Sequence, residues 1–169
     1  LTARGTSGHA SRPLPDNAIV HLGAALGKFG SWQYPMRLNE TTRAYFKLMA
    51  DVVEPELADL YRNLENPARA AEVQEKLRVL DPGANSMIRT SIPPTIIEGG
   101  FRSNVNPAEA TARLDIRALP DDDPQWLAEE MRRIIDDPAV EVGTPGRGRP
   151  LSPPMPMESD LYRGLQRAQ

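Results

Sequence analysis

The side chains equipped for acid–base, metal or nucleophilic chemistry are few in this sequence, and they lie far apart along it. There are two histidines, His9 and His21, and no cysteine. A zinc site needs three or more converging His, Asp, Glu or Cys ligands, and neither histidine sits in a ligand-spaced motif. Without cysteine there is no disulfide, thiolate site or sulfur nucleophile, although this leaves the compartment open. Glu129-Glu130 is an adjacent pair, and neighbours on a helix point about 100° apart, which reads as a solvated surface. His21 falls beside Leu22 in an apolar-periodic stretch and reads as a surface or packing residue. His9 lies in Gly8-His9-Ala10-Ser11, a loop of small residues from which an imidazole can project with little crowding. It reads either as a loop histidine bonded to backbone or as a donor aimed into a cleft. Ser7 and Ser11 are too close in sequence to imply a Ser-His-Asp set.

Two further constellations are polar. Residues 99–107, Gly-Gly-Phe-Arg-Ser-Asn-Val-Asn-Pro, join two strand-like runs, and a plain hairpin connection explains their composition. Arg113, Asp115 and Arg117 recur on one strand face about 7 Å apart, the pattern of a solvated salt-bridge row worth little stability.

The elements that must position these residues follow from periodicity and capping. Residues 1–5 are strand-compatible and run into the turn Gly5-Thr6-Ser7-Gly8. Asp16 is placed to cap a helix with Ile19, Leu22, Leu26 and Phe29 on one face, ending near Gly30. Residues 39–80 read as helical. Asn39 caps a first stretch striped by Phe46, Met49 and Val53, with Tyr45, Leu48 and Val52 beside them, and Pro55 kinks or divides it. Leu57, Leu60, Tyr61 and Leu64 continue the pattern. Asn66-Pro67 opens another helix that stops before Asp81-Pro82-Gly83. Strand character returns over 86–90 and 95–98. The clearest strand spans 108–119, where Ala108, Ala110, Ala112, Leu114, Ile116 and Ala118 alternate with polar residues. Asp123-Pro124 starts a helix carrying Leu127, Met131 and Ile134, and Val140-Glu141-Val142 is a last short strand. Residues 144–156, rich in Pro and Gly, read as a linker, followed by an apparent helix over 159–169.

With 39–83 set aside as a helical insertion, the order is strand, helix, strand, strand, helix, strand. That order predicts an α+β, ferredoxin-like split βαβ sandwich: a four-stranded antiparallel sheet with two helices on one face. The predicted organisation is one domain over 1–143, then 144–169 as linker and start of a returning helix. A net charge of −3 and no basic run argue against nucleic acid as a partner. The polar face of the 108–119 strand also lacks the aromatic residues an RNA-binding sheet would stack on. No apolar run is long enough to span a membrane. A cytoplasmic location is favoured over a periplasmic or secreted one. The first residues carry no initiator Met and the last lie inside a helix, so the chain is expected to be a piece of a longer one.

Two stretches, taken together, resemble a known family. Gly5-Thr6-Ser7-Gly8-His9-Ala10-Ser11, followed by Pro13 and Asp16-Asn17-Ala18, is similar to the opening of the lid domain of peptidase family M twenty. Glu98-Gly99-Gly100, Asn104-Val105-Asn106-Pro107-Ala108-Glu109-Ala110 and Asp115-Ile116-Arg117 resemble that family's second lid motif, in the expected order. The helical insertion looks most like the carboxypeptidase S branch, and residues 157–169 resemble the helix by which such chains re-enter the catalytic domain.

The resemblance implies a lid and dimerisation domain, not active alone, of a two-zinc metallopeptidase or amidohydrolase cleaving an amide bond in N-acyl amino acids or short peptides. Related activities in that family include acetylornithine deacetylase and succinyl-diaminopimelate desuccinylase. Both zinc ions would be held by the catalytic domain, since the family's metal ligands flank the lid and none is found in this sequence. His9 would stabilise the tetrahedral oxyanion in the partner subunit's site, Asn104 would bind substrate, and Arg117 would pair with a substrate carboxylate. A homodimer would form through the first helix and the strand over 95–98. The alternative from the residues alone is a free-standing small-molecule-binding or regulatory dimerisation module on the same fold.

Overall fold

The computed structural model describes residues 1–143, 153 and 156–168. Strand β1 (Thr2–Arg4) sits inside a four-stranded sheet, between β5 (Glu109–Leu114) and β6 (Val140–Glu141), with β3 (Pro94–Gly99) outside β5. The spatial order β3-β5-β1-β6 has every neighbouring pair antiparallel. Helices α1 (Ala18–Ser31) and α6 (Pro124–Ile135) pack on each other and share one core with the sheet. This is the predicted split βαβ sandwich.

That core explains the choice of residues. Ala3, Ala110 and Ala112 form a small-residue floor on β1 and β5, against which Leu22, Ala25 and Phe29 of α1 and Leu127, Met131 and Ile135 of α6 are buried. Full burial of a side chain such as Leu22 or Ile135 contributes on the order of 1.5–3 kcal/mol. Trp32, Tyr34 and Trp126 stack edge to face in series, with centroids 5.6 and 5.4 Å apart. Asp123 caps α6 by accepting from the Gln125 amide, with Pro124 first in the helix. The helix stops at Asp136, whose left-handed φ of 45° an Asp tolerates better than most residues.

Residues 35–90, with 118–121 and the described part of 151–169, make a second unit. It is built on α2 (Glu40–Met49), α3 (Pro55–Arg62), α4 (Ala70–Leu80) and α5 (Pro82–Met87), around Phe46, Leu60, Tyr61, Leu64, Val73, Leu77 and Ile88. It is wider than the predicted 39–83 because Met36, Leu38 and Ile88 join this core. Asn39 and Thr42 form a reciprocal capping box at the start of α2, and Pro55 is the first residue of α3. A final helix, α7 (Asp160–Arg167), is capped by Ser159. The linker predicted over 144–156 lies outside the described residues apart from Pro153 and Pro156.

Several local expectations are corrected. Asn17, not Asp16, caps α1, accepting from the Ile19 and Val20 amides, and Asp16 is engaged elsewhere. Ile19, expected in the core, is exposed, and the buried stripe runs through Ala18, Leu22, Ala25 and Phe29 instead. Tyr45, Leu48 and Val52 are likewise exposed on the insertion. Asn66-Pro67 makes a turn before α4, whose helix begins only at Ala70. Residues 86–90 are not a strand: the Asp81 carboxylate caps the Ala84 amide, Pro82 leads, and Ala84 and Ile88 are buried four residues apart, a helical spacing. The strand predicted over 108–119 holds only from Glu109 to Leu114. Its partner there begins at Pro93-Pro94, and proline has no amide to donate to a ladder. Pairing resumes as an isolated bridge between Ser91 and Arg117.

Candidate functional site

The ladder between β1 and β5 does not end with the sheet. Thr2, Ala3 and Arg4 face Thr111, Ala110 and Glu109, and the Gly5 amide then donates to the Ala108 carbonyl (2.9 Å). Past a slip of one residue, β2 (Gly8–His9) pairs antiparallel with β4 (Val105–Asn106), Gly8 opposite Asn106 and His9 opposite Val105. The Ala10 amide closes the run by donating to the Asn104 carbonyl (2.9 Å). His9 and Asn104, distant in sequence, therefore lie at the same tip. Both are exposed.

At that tip the protonation pattern of His9 is set by its neighbour. The Ser11 amide donates to His9 Nδ1 at 3.2 Å, and Ser11 Oγ lies 2.8 Å from the same atom. A ring nitrogen that accepts an N–H carries no proton itself, so in the neutral imidazole the proton sits on Nε2. Nε2 is left as a donor directed away from the loop's own bonds. Such a group can hydrogen-bond an oxygen on which negative charge develops.

Two contacts hold the loop that carries His9. Gly5 approaches the start of α1 so closely that a Cβ there would lie 2.5 Å from the Ala18 nitrogen. One residue on, Thr6 donates from its amide to the Asp16 carbonyl (3.3 Å) and from its hydroxyl to the Asp16 carboxylate (2.7 Å). Asp16 in turn meets His21 Nε2 at 3.2 Å, and His21 Nδ1 meets the Asp137 carboxylate at 2.6 Å. The sequence reading of His21 as a surface or packing residue missed this role; two carboxylates grip it, and the only signal was an aspartate five residues earlier.

The electrostatics follow from this arrangement. The hydrogen bond that His21 donates to the Asp137 carboxylate, with the charges of both carboxylates, holds the His21 imidazolium above its ordinary pKa against a smaller desolvation effect. The Thr6 hydroxyl, then His21, holds the Asp16 carboxyl low, and His21 holds Asp137 low. Because the His21 pKa is raised on folding, its stabilisation is fully present below about pH 6.5 and is lost as pH rises through the raised value. The lowered aspartates act oppositely, contributing above about pH 4 and losing that contribution as pH falls through their depressed values. His21→Gln is expected to remove the decline in denaturation midpoint that sets in as pH rises above about 6.5. An unchanged pH profile in urea titrations of the variant would refute the clasp.

Arg117 lies elsewhere. It follows the far end of β5, past Leu114, with the length of that strand, about 17 Å, between it and the start of the tip. Its guanidinium is engaged by Asp115 through Nε (2.9 Å) and Nη2 (2.8 Å), with 74% of the side chain exposed. Among the described residues no three His, Cys, Asp or Glu side chains lie close enough to hold a metal. The described residues do not fit a zinc centre.

Residues 1–143 match the peptidase dimerisation domain. The chain belongs to that family. It is 29% identical over 136 residues to a probable carboxypeptidase S-like protein of Dictyostelium discoideum, covering 80% of this chain and 25% of that one. It is 28% identical over 169 residues to an N-fatty-acyl-amino acid synthase/hydrolase of Xenopus tropicalis, covering 99% of this chain and 32% of the relative. The human protein of the same description is 26% identical over 161 residues, which cover 95% of this chain and 31% of that protein. The chain thus spans a quarter to a third of the length of these relatives.

Proposed function

We propose that this peptidase dimerisation domain is the lid of a hydrolase that cleaves the amide bond of N-acyl amino acids or short peptides. His9 donates from Nε2 to the oxyanion of the tetrahedral intermediate in a partner subunit's reaction centre, and the Asn104 amide hydrogen-bonds the substrate. The observation that carries the reading is the two-stranded β2–β4 ribbon, which brings a histidine with a defined donor nitrogen to the same tip as Asn104. A site built on paired strands is held more tightly than one on a free loop. The relatives described as N-fatty-acyl-amino acid synthase/hydrolases support an acyl amino acid as the substrate class. The two zinc ions of the complete protein would be held by residues outside this chain. The test is replacement of His9 by Ala in the full-length protein, with turnover of an N-acyl amino acid and metal content measured side by side.

The same reading makes β3 the seam of a homodimer. All six of its residues are exposed, and its outer edge has no strand partner among the described residues. Ile97, 61% exposed, shares a shallow concavity with Ile19 of α1. An open edge flanked by apolar side chains is a surface that a second copy can cover. Ile97→Lys is expected to turn the full-length dimer into monomer in analytical ultracentrifugation, with monomer stability changed by no more than about 0.5 kcal/mol, as is usual for exposed positions. A variant that remains fully dimeric at micromolar concentration would place the interface elsewhere.

A further inference from the structure

His21 is held through both of its ring nitrogens, and each faces a carboxylate. Nδ1 lies 2.6 Å from Asp137 Oδ2, and Nε2 lies 3.2 Å from Asp16 Oδ1. An ionised carboxylate only accepts, so both bonds exist together only when both ring nitrogens carry a proton. Each aspartate has a second partner, and the two lead in opposite directions. Asp137 Oδ1 accepts from the Ala139 amide at 2.9 Å, in the turn between α6 and β6. Asp16 Oδ2 accepts from the Thr6 hydroxyl at 2.7 Å, and Thr6 opens the segment that leads into β2 and His9. A chain of hydrogen bonds thus runs from the α6–β6 turn, through the ring, to the loop that carries the oxyanion donor. Asp137 and Asp16 are the charged groups that act on the ring. Of those on the elements packed against α1, Arg4 is turned to Glu109 and Glu141, Arg133 to Glu130, and the N-terminal amine to the Ala112 carbonyl. Lys28, on α1 itself, donates to the Ile135 carbonyl, and its charge also acts on Asp137.

We infer that His21 is a positioning residue for His9: its imidazolium ties Asp16 to Asp137, and loss of the Nε2 proton frees Asp16 and with it the loop that aims His9. The inference deepens the hydrolase reading and rests on it. Geometry decides which of the two bonds is lost. The Asp137 contact is the shorter, and the Asp137 side chain is 22% exposed against 49% for Asp16. A neutral ring therefore keeps its proton on Nδ1 and turns the Nε2 lone pair towards the Asp16 carboxylate, two acceptors with no proton between them. Water then takes the place of the ring at the more exposed end. Asp16 still accepts from Thr6, but the pair is no longer tied through the ring to the α6–β6 turn. The close approach of Gly5 to the start of α1 remains, so the loop loosens without detaching. The latch is closed while the ring holds both protons. It opens as pH rises through the His21 pKa, which the Asp137 bond above all raises from its ordinary value. The effect falls on kcat, because the His9 bond strengthens only as charge develops on the substrate oxygen.

The experiment follows the full-length protein between about pH 6 and pH 10, across the His21 titration, with N-acetyl-phenylalanine as substrate. Amide hydrogen exchange of residues 5–15, corrected for its intrinsic pH dependence, is measured over the same range. In the wild type, kcat is expected to fall about tenfold as His21 loses its proton, less than the loss of the oxyanion donor itself, with KM nearly unchanged. Exchange in residues 5–15 should rise over the same interval. Asp16→Asn separates a proton-operated latch from plain structural support. Its amide oxygen still accepts from Thr6 and its NH2 donates to a neutral Nε2, so kcat should hold at alkaline pH and exchange should stay low. His21→Gln, which cannot hold both carboxylates, should keep kcat about tenfold below the wild-type plateau at every pH and lack the decline. An Asp16→Asn protein with the same alkaline decline as the wild type overturns the inference and leaves the hydrolase reading standing. Wild-type exchange that stays flat through the titration has the same effect. A wild-type protein that cleaves neither N-acetyl-phenylalanine nor any other N-acyl amino acid or dipeptide removes the hydrolase reading and the positioning role with it.

Discussion

Replacing His9 with Ala in the full-length protein is expected to lower kcat for an N-acyl amino acid about 10²–10³-fold, with metal content unchanged. The magnitude is that of deleting one preorganised oxyanion donor. It depends on Nε2 carrying the proton before substrate arrives, which the Ser11 amide ensures by occupying Nδ1. KM should change little, because the bond strengthens only as charge develops on the substrate oxygen. Stability should change little as well, since the exposed His9 side chain bonds only Ser11 among the described residues. Service to the partner subunit has its own readout. A mixed dimer of one His9→Ala subunit and one subunit disabled in its catalytic part regains activity if the lid acts across the dimer, and stays inactive if it serves its own subunit. Unchanged turnover in the plain variant sinks the assignment.

The second large effect is on folding. Gly5→Ala is expected to cost roughly 2–4 kcal/mol, because the added carbon would sit 2.5 Å from the Ala18 nitrogen, 3.0 Å from the Asn17 carbonyl carbon and 3.2 Å from the Ala18 Cα. All three are backbone atoms at the start of a packed helix, so nothing flexible can give way. The strain falls where Asn17 caps α1 and Thr6 bonds Asp16, so helix start and loop would loosen together. For a chain of this size the melting temperature should drop by roughly 5–15 °C. Gly8→Ala is the control: its nearest neighbour would be the tip of the Leu14 side chain at 3.4 Å, an ordinary contact. A Gly5→Ala protein that melts with the wild type would show that the close approach is not obligatory. Its activity, measured below the melting range, should fall as well, since the same contact holds the His9 loop.

Where the sequence was read correctly, the signal was local. The Asn39 capping box, Asp123-Pro124 at the head of α6 and the alternation of Ala110 and Ala112 depend on residues within a turn or two of each other. Misreadings occurred where a distant partner decided. Residues 86–90 look strand-like alone, but a cap from Asp81 and a place for Ala84 and Ile88 in the second core make the start of that run helical. Residues 115–119 continue the alternation of β5, yet the ladder breaks because the facing chain holds Pro93-Pro94. Ile19 carries the right spacing for the α1 stripe, but the stripe turned to the sheet runs through Ala18, and Ile19 is left exposed near β3.

By itself, the sequence determined the split βαβ order, the helical character of the insertion, and the two motif stretches whose resemblance points to the family. Capping, periodicity and motif spacing are properties of short segments, and they survive without knowledge of the fold. Only the tertiary structure decided that His9 and Asn104 share a tip, that Arg117 sits at the opposite end of the ladder, and that His21 fastens the loop through Asp16 and Asp137. Those outcomes depend on the register between strands far apart in the chain and on which helix face the core takes, and a one-dimensional pattern carries neither.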